Sequence, residues 1–286
     1  MGGVPAFQAA ALVRACVREE GEGGSPTAVL PDGPYTDEER RDVPVRSGAS
    51  HAVFVGSEDP ASGAVGLRFF TSAGELPACG HGTVAALAWL ADRSGRDELR
   101  VTLRLADRTL LGSAVRDGAR FRAAFRADRV TVRQPAAAER YLAVTALGLA
   151  AADLAPGACV AALGRERLLL PVRTREALAA LKPDLDALRR ACDHFGLLGC
   201  YVHTVPTPEG RVAARMFAPS IGVPEDVANA NSTACLAAHL ATAQGRGQHL
   251  DVEMGDSLGH PATLVAEARS GPHGVTAEVG GWAQLG

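Results

Sequence analysis

One segment occurs twice in this chain of 286 residues, half a chain apart, and it restricts the choice of folds. In the first copy, residues 67–71 are apolar and aromatic and predict a strand, and residues 72–82 are rich in glycine and predict a loop. Residues 83–91 form an apolar, alanine-rich run that predicts a buried helix. Residues 213–241 repeat this order, with RMFAP in place of RFFTS. A repeat of this period predicts two related lobes.

Each predicted loop leads into a helix N-terminus. Free backbone N–H groups and the positive end of the helix dipole favour a carboxylate or another anion there. Glycines in the first loop allow a ligand to approach the backbone closely. Two such helix ends at a lobe junction are therefore predicted to hold one small ligand. The residues predicted to bind it are Gly80, Gly82, Thr83, Asn229, Asn231, Ser232 and Thr233.

A shorter helix is predicted closer to the N-terminus. Thr36 is followed by three acidic residues, which is typical of a helix N-cap and first turn. Pro44 is predicted to end this helix, because proline lacks an N–H group and clashes with the preceding turn.

Composition excludes several function classes. The net charge of −3 gives no electrostatic reason to expect binding to nucleic acid or to an anionic membrane surface. No apolar run approaches the roughly 20 residues needed to span a bilayer, and no basic segment precedes the short apolar stretch at the start, so no signal peptide is expected. Six cysteines are scattered without CxxC or zinc-finger spacing, which predicts free thiols in the cytoplasm and no metal site.

Five motifs resemble those of the phenazine-biosynthesis isomerase (PhzF-like) family and occur in the same order. They are GSP followed by AV at 24–29, SHAVFV at 50–55, GELPACGHGTVAA at 74–86, RMFAPSIGVPED at 215–226 and GHPA at 259–262. The likeness spans nearly the whole chain, and the two long motifs together are specific.

The resemblance implies the α+β fold shared with diaminopimelate epimerase. In that fold two pseudo-symmetric lobes, each a curved β-sheet or barrel around a central helix, enclose the active site between them. We expect the N-terminal lobe to cover residues 1–130, with a C-terminal strand at 275–286, and the second lobe to cover residues 131–274. The resemblance also implies a homodimer and catalysis without a cofactor.

The family resemblance implies a proton-shuttling glutamate directly after Ser50, where this chain has His51. A histidine can accept and donate a proton, because its ordinary pKa of about 6.5 lies near working pH. His51 is therefore predicted to carry the proton, with the alternative that it only fills space. His81 and Asp226 are predicted to orient the substrate or to stabilise developing charge.

The second loop departs from the family pattern as well. The family's EDPxTGSA becomes EDVANANS at residues 225–232, which retains Asp226. Asparagine and serine are good N-caps, so an anion can still bind there. The lost glycine places a Cβ where a substrate needs room, so the substrate is predicted to differ from the family's aromatic-precursor acid.

Two cysteines raise a different possibility. Diaminopimelate epimerase and proline racemase resemble this fold and use one cysteine from each loop. Cys79 stands before a predicted helix N-terminus, a position that stabilises a thiolate. Cys235 is predicted to be helix core, since free cysteines are usually buried. Cys79 alone remains a secondary catalytic candidate.

Taken together, these features predict a cofactor-independent isomerase acting on a small carboxylate substrate. It would move a proton, and with it a double bond, on an unsaturated amino or carboxylic acid, in a secondary-metabolite pathway such as antibiotic biosynthesis. Three alternatives stay open: an amino-acid epimerase that uses Cys79, a hydrolase in which His51 activates water, and a non-catalytic small-molecule binder.

Overall fold

The computed structural model of the protein describes residues 10–127, 130–271 and 274–286. Its first strands and helices are β1 (Ala11–Val17), β2 (Ser25–Pro31), α1 (Asp37–Ser47), β3 (His51–Glu58), β4 (Ala64–Thr71), β5 (Gly74–Leu76), α2 (Gly80–Ser94), β6 (Glu98–Arg104), β7 (Thr109–Asp117) and β8 (Arg120–Ala127). The remaining ones are β9 (Thr131–Arg133), α3 (Ala137–Ala146), β10 (Cys159–Leu163), β11 (Arg165–Val172), α4 (Arg175–Ala179), α5 (Leu185–Phe195), β12 (Cys200–Thr204), β13 (Arg211–Ala218), β14 (Val223–Asp226), α6 (Ala230–Gln244), β15 (Gln248–Met254), β16 (Ala262–Gly271) and β17 (Gly274–Leu285).

Eight strands close into a barrel around α2. Neighbouring strands follow the order β1, β2, β3, β4, β6, β7, β8 and β17, and β17 pairs back to β1. The β2–β3 and β4–β6 pairs are parallel, and the others are antiparallel. Helix α2 can lie inside the barrel because most of its residues are small or apolar and eleven of its fifteen are buried.

A second curved sheet packs against α6. Its strands follow the order β9, β10, β11, β12, β13, β15, β16 and β17, with parallel pairs at β11–β12 and β13–β15. Helices α3, α4 and α5 cover the other side of this sheet through a separate apolar cluster. Strand β17 belongs to both sheets, because it pairs with β16 as well as with β8 and β1. The predicted α+β fold with two lobes, each built around a central helix, is confirmed.

The repeated segment has the same structure in both halves. A strand (β4 or β13) pairs with a short antiparallel strand (β5 or β14), which leads into the central helix (α2 or α6). The same ion pair holds each copy: Arg68 binds Glu75 through two hydrogen bonds of 2.7 Å, and Arg215 binds Glu225 through two of 2.8 Å. The repeat therefore extends to the side chains.

Two expectations about helix ends are wrong. Helix α1 is capped by Thr36 as predicted, but it continues through Pro44 to Ser47 and ends at Gly48 in a left-handed conformation. Proline removes one N–H group from the helix, and the turn that follows it is held by the Gly48 N–H donating to the Pro44 and Val45 carbonyls.

The helix predicted from residue 83 begins three residues earlier, at Gly80. The N–H and hydroxyl groups of Thr83 both donate to the Cys79 carbonyl, at 2.9 and 2.8 Å, and this closes an additional first turn. His81 consequently lies on the helix and not in a loop. Across the described ranges, no helix is long and apolar enough to span a membrane.

Candidate active site

A cavity of about 270 Å³ lies where the N-termini of α2 and α6 meet. The two helix ends are in close contact, because a Cβ at Gly80 would lie 2.7 Å from the Cβ of Ala230. His51, His81 and Asp226, which are far apart in sequence, all line this cavity. The predicted convergence of these three residues is thus observed, while their roles stay predictions.

His51, Cys79 and His81 form a compact buried cluster. The two imidazole rings meet edge to face with centroids 4.4 Å apart, and Cys79 Sγ lies 3.4 Å from His81 Nε2. One donor atom from each residue lies within 4.8 Å of the other two. Nitrogen and sulfur donors at this spacing could hold a divalent ion such as Zn²⁺. The expectation that the chain uses no metal stays a prediction.

His51 is the first residue of β3 and is 4% exposed. Its Nδ1 lies 2.9 Å from Ser50 Oγ. No hydrogen-bond partner within the described ranges occupies Nε2. Burial, and to a smaller degree the neighbouring His81, lowers the pKa of His51 well below 6.5. His51 is therefore neutral at pH 7, with one ring nitrogen held by Ser50 and the other available.

His81 lies in the first turn of α2 and is held from the other lobe. Its Nδ1 donates to the carbonyl oxygen of Ala228 at 2.8 Å, and this oxygen can only accept, so Nδ1 carries a proton. Burial by itself lowers the pKa of His81, but its electrostatic interactions with Cys79 and Asp226 and its hydrogen bonds raise it to about 10. His81 is therefore a cation at pH 7.

Asp226 ends β14 and anchors this arrangement. Its Oδ1 lies 3.8 Å from His81 Nδ1, and its Oδ2 accepts a hydrogen bond of 2.9 Å from Asn229 Nδ2.

Two titratable groups with opposite pKa shifts stand side by side in this site, His51 as a neutral base and His81 as a cation. Such a division is typical of sites that move protons.

Three of the predicted ligand-binding residues, Gly80, Asn229 and Asn231, line the cavity. Four do not, because their groups hold the helix ends together or lie in tight packing: Gly82, Thr83, Ser232 and Thr233. The Asn229 side chain, for example, accepts from the Ser232 N–H at 2.9 Å. The first-turn N–H groups that belong to residues lining the cavity, and can therefore serve an anion, are those of Gly80, His81 and Asn231.

Cys235 is fully buried within α6 and does not line the cavity, so the prediction that it is helix core is confirmed. All six cysteines are free thiols, as predicted. A pair of catalytic thiols facing one ligand is not formed by Cys79 and Cys235.

Sequence reasoning missed three arginines in the cavity wall: Arg108, Arg165 and Arg167. Arg165 and Arg167 both lie within β11, and Arg167 is 1% exposed. The one sequence signal is an arginine placed directly before the apolar run LLLPV at 168–172.

Comparisons with known proteins agree with this fold. The sequence profile of the family described as "Phenazine biosynthesis-like protein" matches residues 17–284. An isomerase of Deinococcus radiodurans named only as uncharacterized is 30% identical over 292 residues, covering 96% of this chain and 92% of its own. The trans-2,3-dihydro-3-hydroxyanthranilate isomerase of Pseudomonas aeruginosa is 29% identical over 223 residues, covering 75% of this chain and 74% of its own.

A solved structure titled as a predicted epimerase from Pseudomonas aeruginosa superposes with a TM-score of 0.82. It is 28% identical, and the superposition covers 96% of both chains. The profile match spans most of the chain, and the relatives are named as isomerases. The chain therefore belongs to the phenazine biosynthesis-like protein family and is an isomerase.

Proposed function

We propose that this isomerase moves a proton, and with it a double bond, on a small unsaturated amino or carboxylic acid, without a cofactor. The observation that carries the proposal is the neutral His51 beside the cationic His81, in a cavity where two helix N-termini meet. The isomerase from Pseudomonas aeruginosa supports it, since that protein is named for an unsaturated amino acid.

The first step binds the substrate carboxylate at the first-turn N–H groups of Gly80, His81 and Asn231. His51 then takes a proton from carbon through its free ring nitrogen. The C–H electron pair moves into a new carbon–carbon double bond as negative charge develops on the conjugated acid. The positive charge of His81 and the helix ends stabilise that charge, in the manner of an oxyanion hole.

The second step delivers the proton on His51, which has exchanged with solvent in the meantime, to a different carbon. His51 is now an imidazolium in contact with the cationic His81, and their mutual repulsion favours release of the proton. The substrate regains its neutral carbon framework with the double bond shifted. Asp226 positions His81, because it lies on the Nδ1 side of that ring and is itself held by Asn229.

A second candidate is an amino-acid epimerase that uses Cys79. It is favoured by the 3.4 Å contact between Cys79 Sγ and His81 Nε2, which is the geometry of a thiolate–imidazolium pair. In that reaction Cys79 would remove the proton from the α-carbon, and a second acid would return one from the opposite face.

The test incubates the enzyme in heavy water with unsaturated carboxylic acids and their amino derivatives, trans-2,3-dihydro-3-hydroxyanthranilate included, and follows the products by NMR and mass spectrometry. We expect a shifted double bond and one solvent deuterium on carbon, both lost in His51→Ala. His203→Ala is the matched control, because His203 is also 4% exposed but lies outside the cavity.

Other outcomes identify the alternatives. Oxygen gained from labelled water indicates a hydrolase, and calorimetric binding without exchange indicates a non-catalytic binder. Exchange at the α-carbon that survives His51→Ala but not Cys79→Ser indicates the epimerase. On the family resemblance we also propose that the chain forms a homodimer and acts in secondary metabolism. Light scattering tests whether the dimer forms.

A further inference from the structure

Arg167 is one of the largest fully buried side chains of the molecule, and it lines the cavity. One Nη group donates to the carbonyls of Leu163 and Arg165 at 3.1 and 2.7 Å. The other lies 3.4 Å from Ser232 Oγ, in the first turn of α6. The Nε–H group is buried and has no partner in the described parts of the chain. The guanidinium is thus held rigidly, with donor capacity left over.

This buried cation shares its part of the cavity wall with two other arginines. No carboxylate in the described ranges lies within ion-pair distance of Arg167 or of Arg165. Arg108 reaches the same wall, since its guanidinium lies where a Cβ of Gly164 would stand, and it is paired with the adjacent Asp107 at 3.2 Å. Three guanidinium groups therefore share one carboxylate at this part of the cavity.

An unpaired buried charge is costly, and proteins usually pair it. Burial is also the main factor that lowers the pKa of Arg167, with Arg108 and Arg165 contributing to the decrease. A guanidinium stays protonated at pH 7 in proteins, so the charge persists and an anion that enters the cavity would compensate it.

The N–H groups assigned to the substrate carboxylate belong to Gly80, His81 and Asn231, at the cluster of His51 and His81. Arg167 presents a separate cationic group on β11. Guanidinium groups bind carboxylates and other planar or tetrahedral oxyanions with strong, directional hydrogen bonds. The cavity thus offers two places for negative charge.

Resting on the proposed function, we propose that the substrate carries a second acidic group, and that Arg167, assisted by Arg108 and Arg165, binds it. The substrate class is then a dianionic unsaturated acid. This second group would fix the register of the substrate, so that the carbon to be deprotonated faces His51.

The test compares the binding of matched anions by calorimetry: pentanoate against glutarate, and butanoate against succinate. We expect each dicarboxylate to bind the wild-type protein about tenfold more tightly or better, because it gains a charged hydrogen bond. Arg167→Gln should bring each pair to within about twofold while leaving the monocarboxylate unchanged. Arg190→Gln, on the exposed face of α5, is the control and should keep the full difference.

Equal affinity for mono- and dicarboxylates in the wild type would overturn the proposal, as would a difference that survives Arg167→Gln. An arginine that only supports the fold would lower stability without changing the ratio between the two ligands. If Arg167→Gln does not fold, the double variant Arg108→Gln, Arg165→Gln must reduce the ratio, since Arg165 is exposed and Arg108 is only partly buried. Failure of proton transfer is distinguishable, because these affinities are measured without turnover: a wild-type protein that prefers the dicarboxylates but shows no deuterium exchange supports this inference and contradicts the proposed function.

Discussion

Replacing Gly80 with alanine should force apart the two central helices. The new Cβ would lie 2.7 Å from the Cβ of Ala230 and 3.1 Å from the backbone nitrogen of Asn231. Nonbonded carbon atoms normally stay about 3.5–4.0 Å apart, so the helix ends must separate by about 1 Å. Neither contacted atom is the end of a flexible side chain, and rotation cannot relieve the overlap.

The cost follows from this geometry. Overpacking of this kind destabilises by about 1–3 kcal/mol, and the better helix propensity of alanine returns at most about 1 kcal/mol. We expect the free energy of unfolding to fall by about 2 kcal/mol and the melting temperature by about 4–8 °C. A shift of about 1 Å in the substrate-binding N–H groups should lower the rate of proton exchange about 100-fold.

Urea unfolding followed by circular dichroism measures the change in the free energy of unfolding. Deuterium exchange, measured well below the melting temperature, measures the change in the rate of proton exchange. Gly66→Ala in β4 is the control, because its Cβ would meet only the end of the Arg104 side chain at 3.6 Å. A Gly80→Ala protein with wild-type stability and wild-type exchange would refute the account of two helix ends in contact.

The histidine and cysteine cluster leads to four further predictions. Because folding raises the pKa of His81 to about 10, its contribution to stability should be complete below pH 6.5 and be lost as the pH rises toward 10. Urea unfolding at several pH values measures this loss, which Asp226→Asn should reduce. A wild-type stability that does not change over this pH range would contradict the prediction. Folding lowers the pKa of His51, so its contribution to the stability of the fold should be present above pH 6.5 and be lost as the pH falls below 6.5. An NMR titration of the His51 ring should therefore show a midpoint well under 6.5. Iodoacetamide should modify Cys79 before Cys235, because Cys79 lines the cavity and Cys235 does not. Glutarate in the cavity should slow the reaction at Cys79. Mass mapping that finds both cysteines equally modified would contradict this prediction. Zn²⁺ should inhibit the enzyme reversibly by binding His51, Cys79 and His81. Co²⁺ at the same site should give a thiolate absorption band that is lost in Cys79→Ser. Full activity in excess Zn²⁺ would contradict binding at this cluster.

The sequence was sufficient for the lobes, because each strand–loop–helix copy is a local pattern of periodicity and glycine placement. It was also sufficient to bring His51, His81 and Asp226 together, through the order of the family motifs. Their catalytic roles stay predictions, and so does the glutamate that the resemblance implies for position 51.

Features that depend on contacts between distant residues could not be predicted from the sequence. Arg167 is buried because β11 packs against α6, and the apolar run that follows it at 168–172 does not by itself predict that contact. Pro44 stays inside a helix because the following turn is capped by Gly48. Local propensity cannot register any of these.

Solvent deuterium exchange by two variants of one residue tests the central claim most directly. His51→Gln keeps the size and polarity of the side chain but cannot accept a proton, and His51→Glu supplies a different base at the same place. We predict that His51→Gln lowers exchange into the substrate about 100-fold or more and that His51→Glu retains measurable exchange. Wild-type exchange by His51→Gln would contradict the claim that His51 carries the proton.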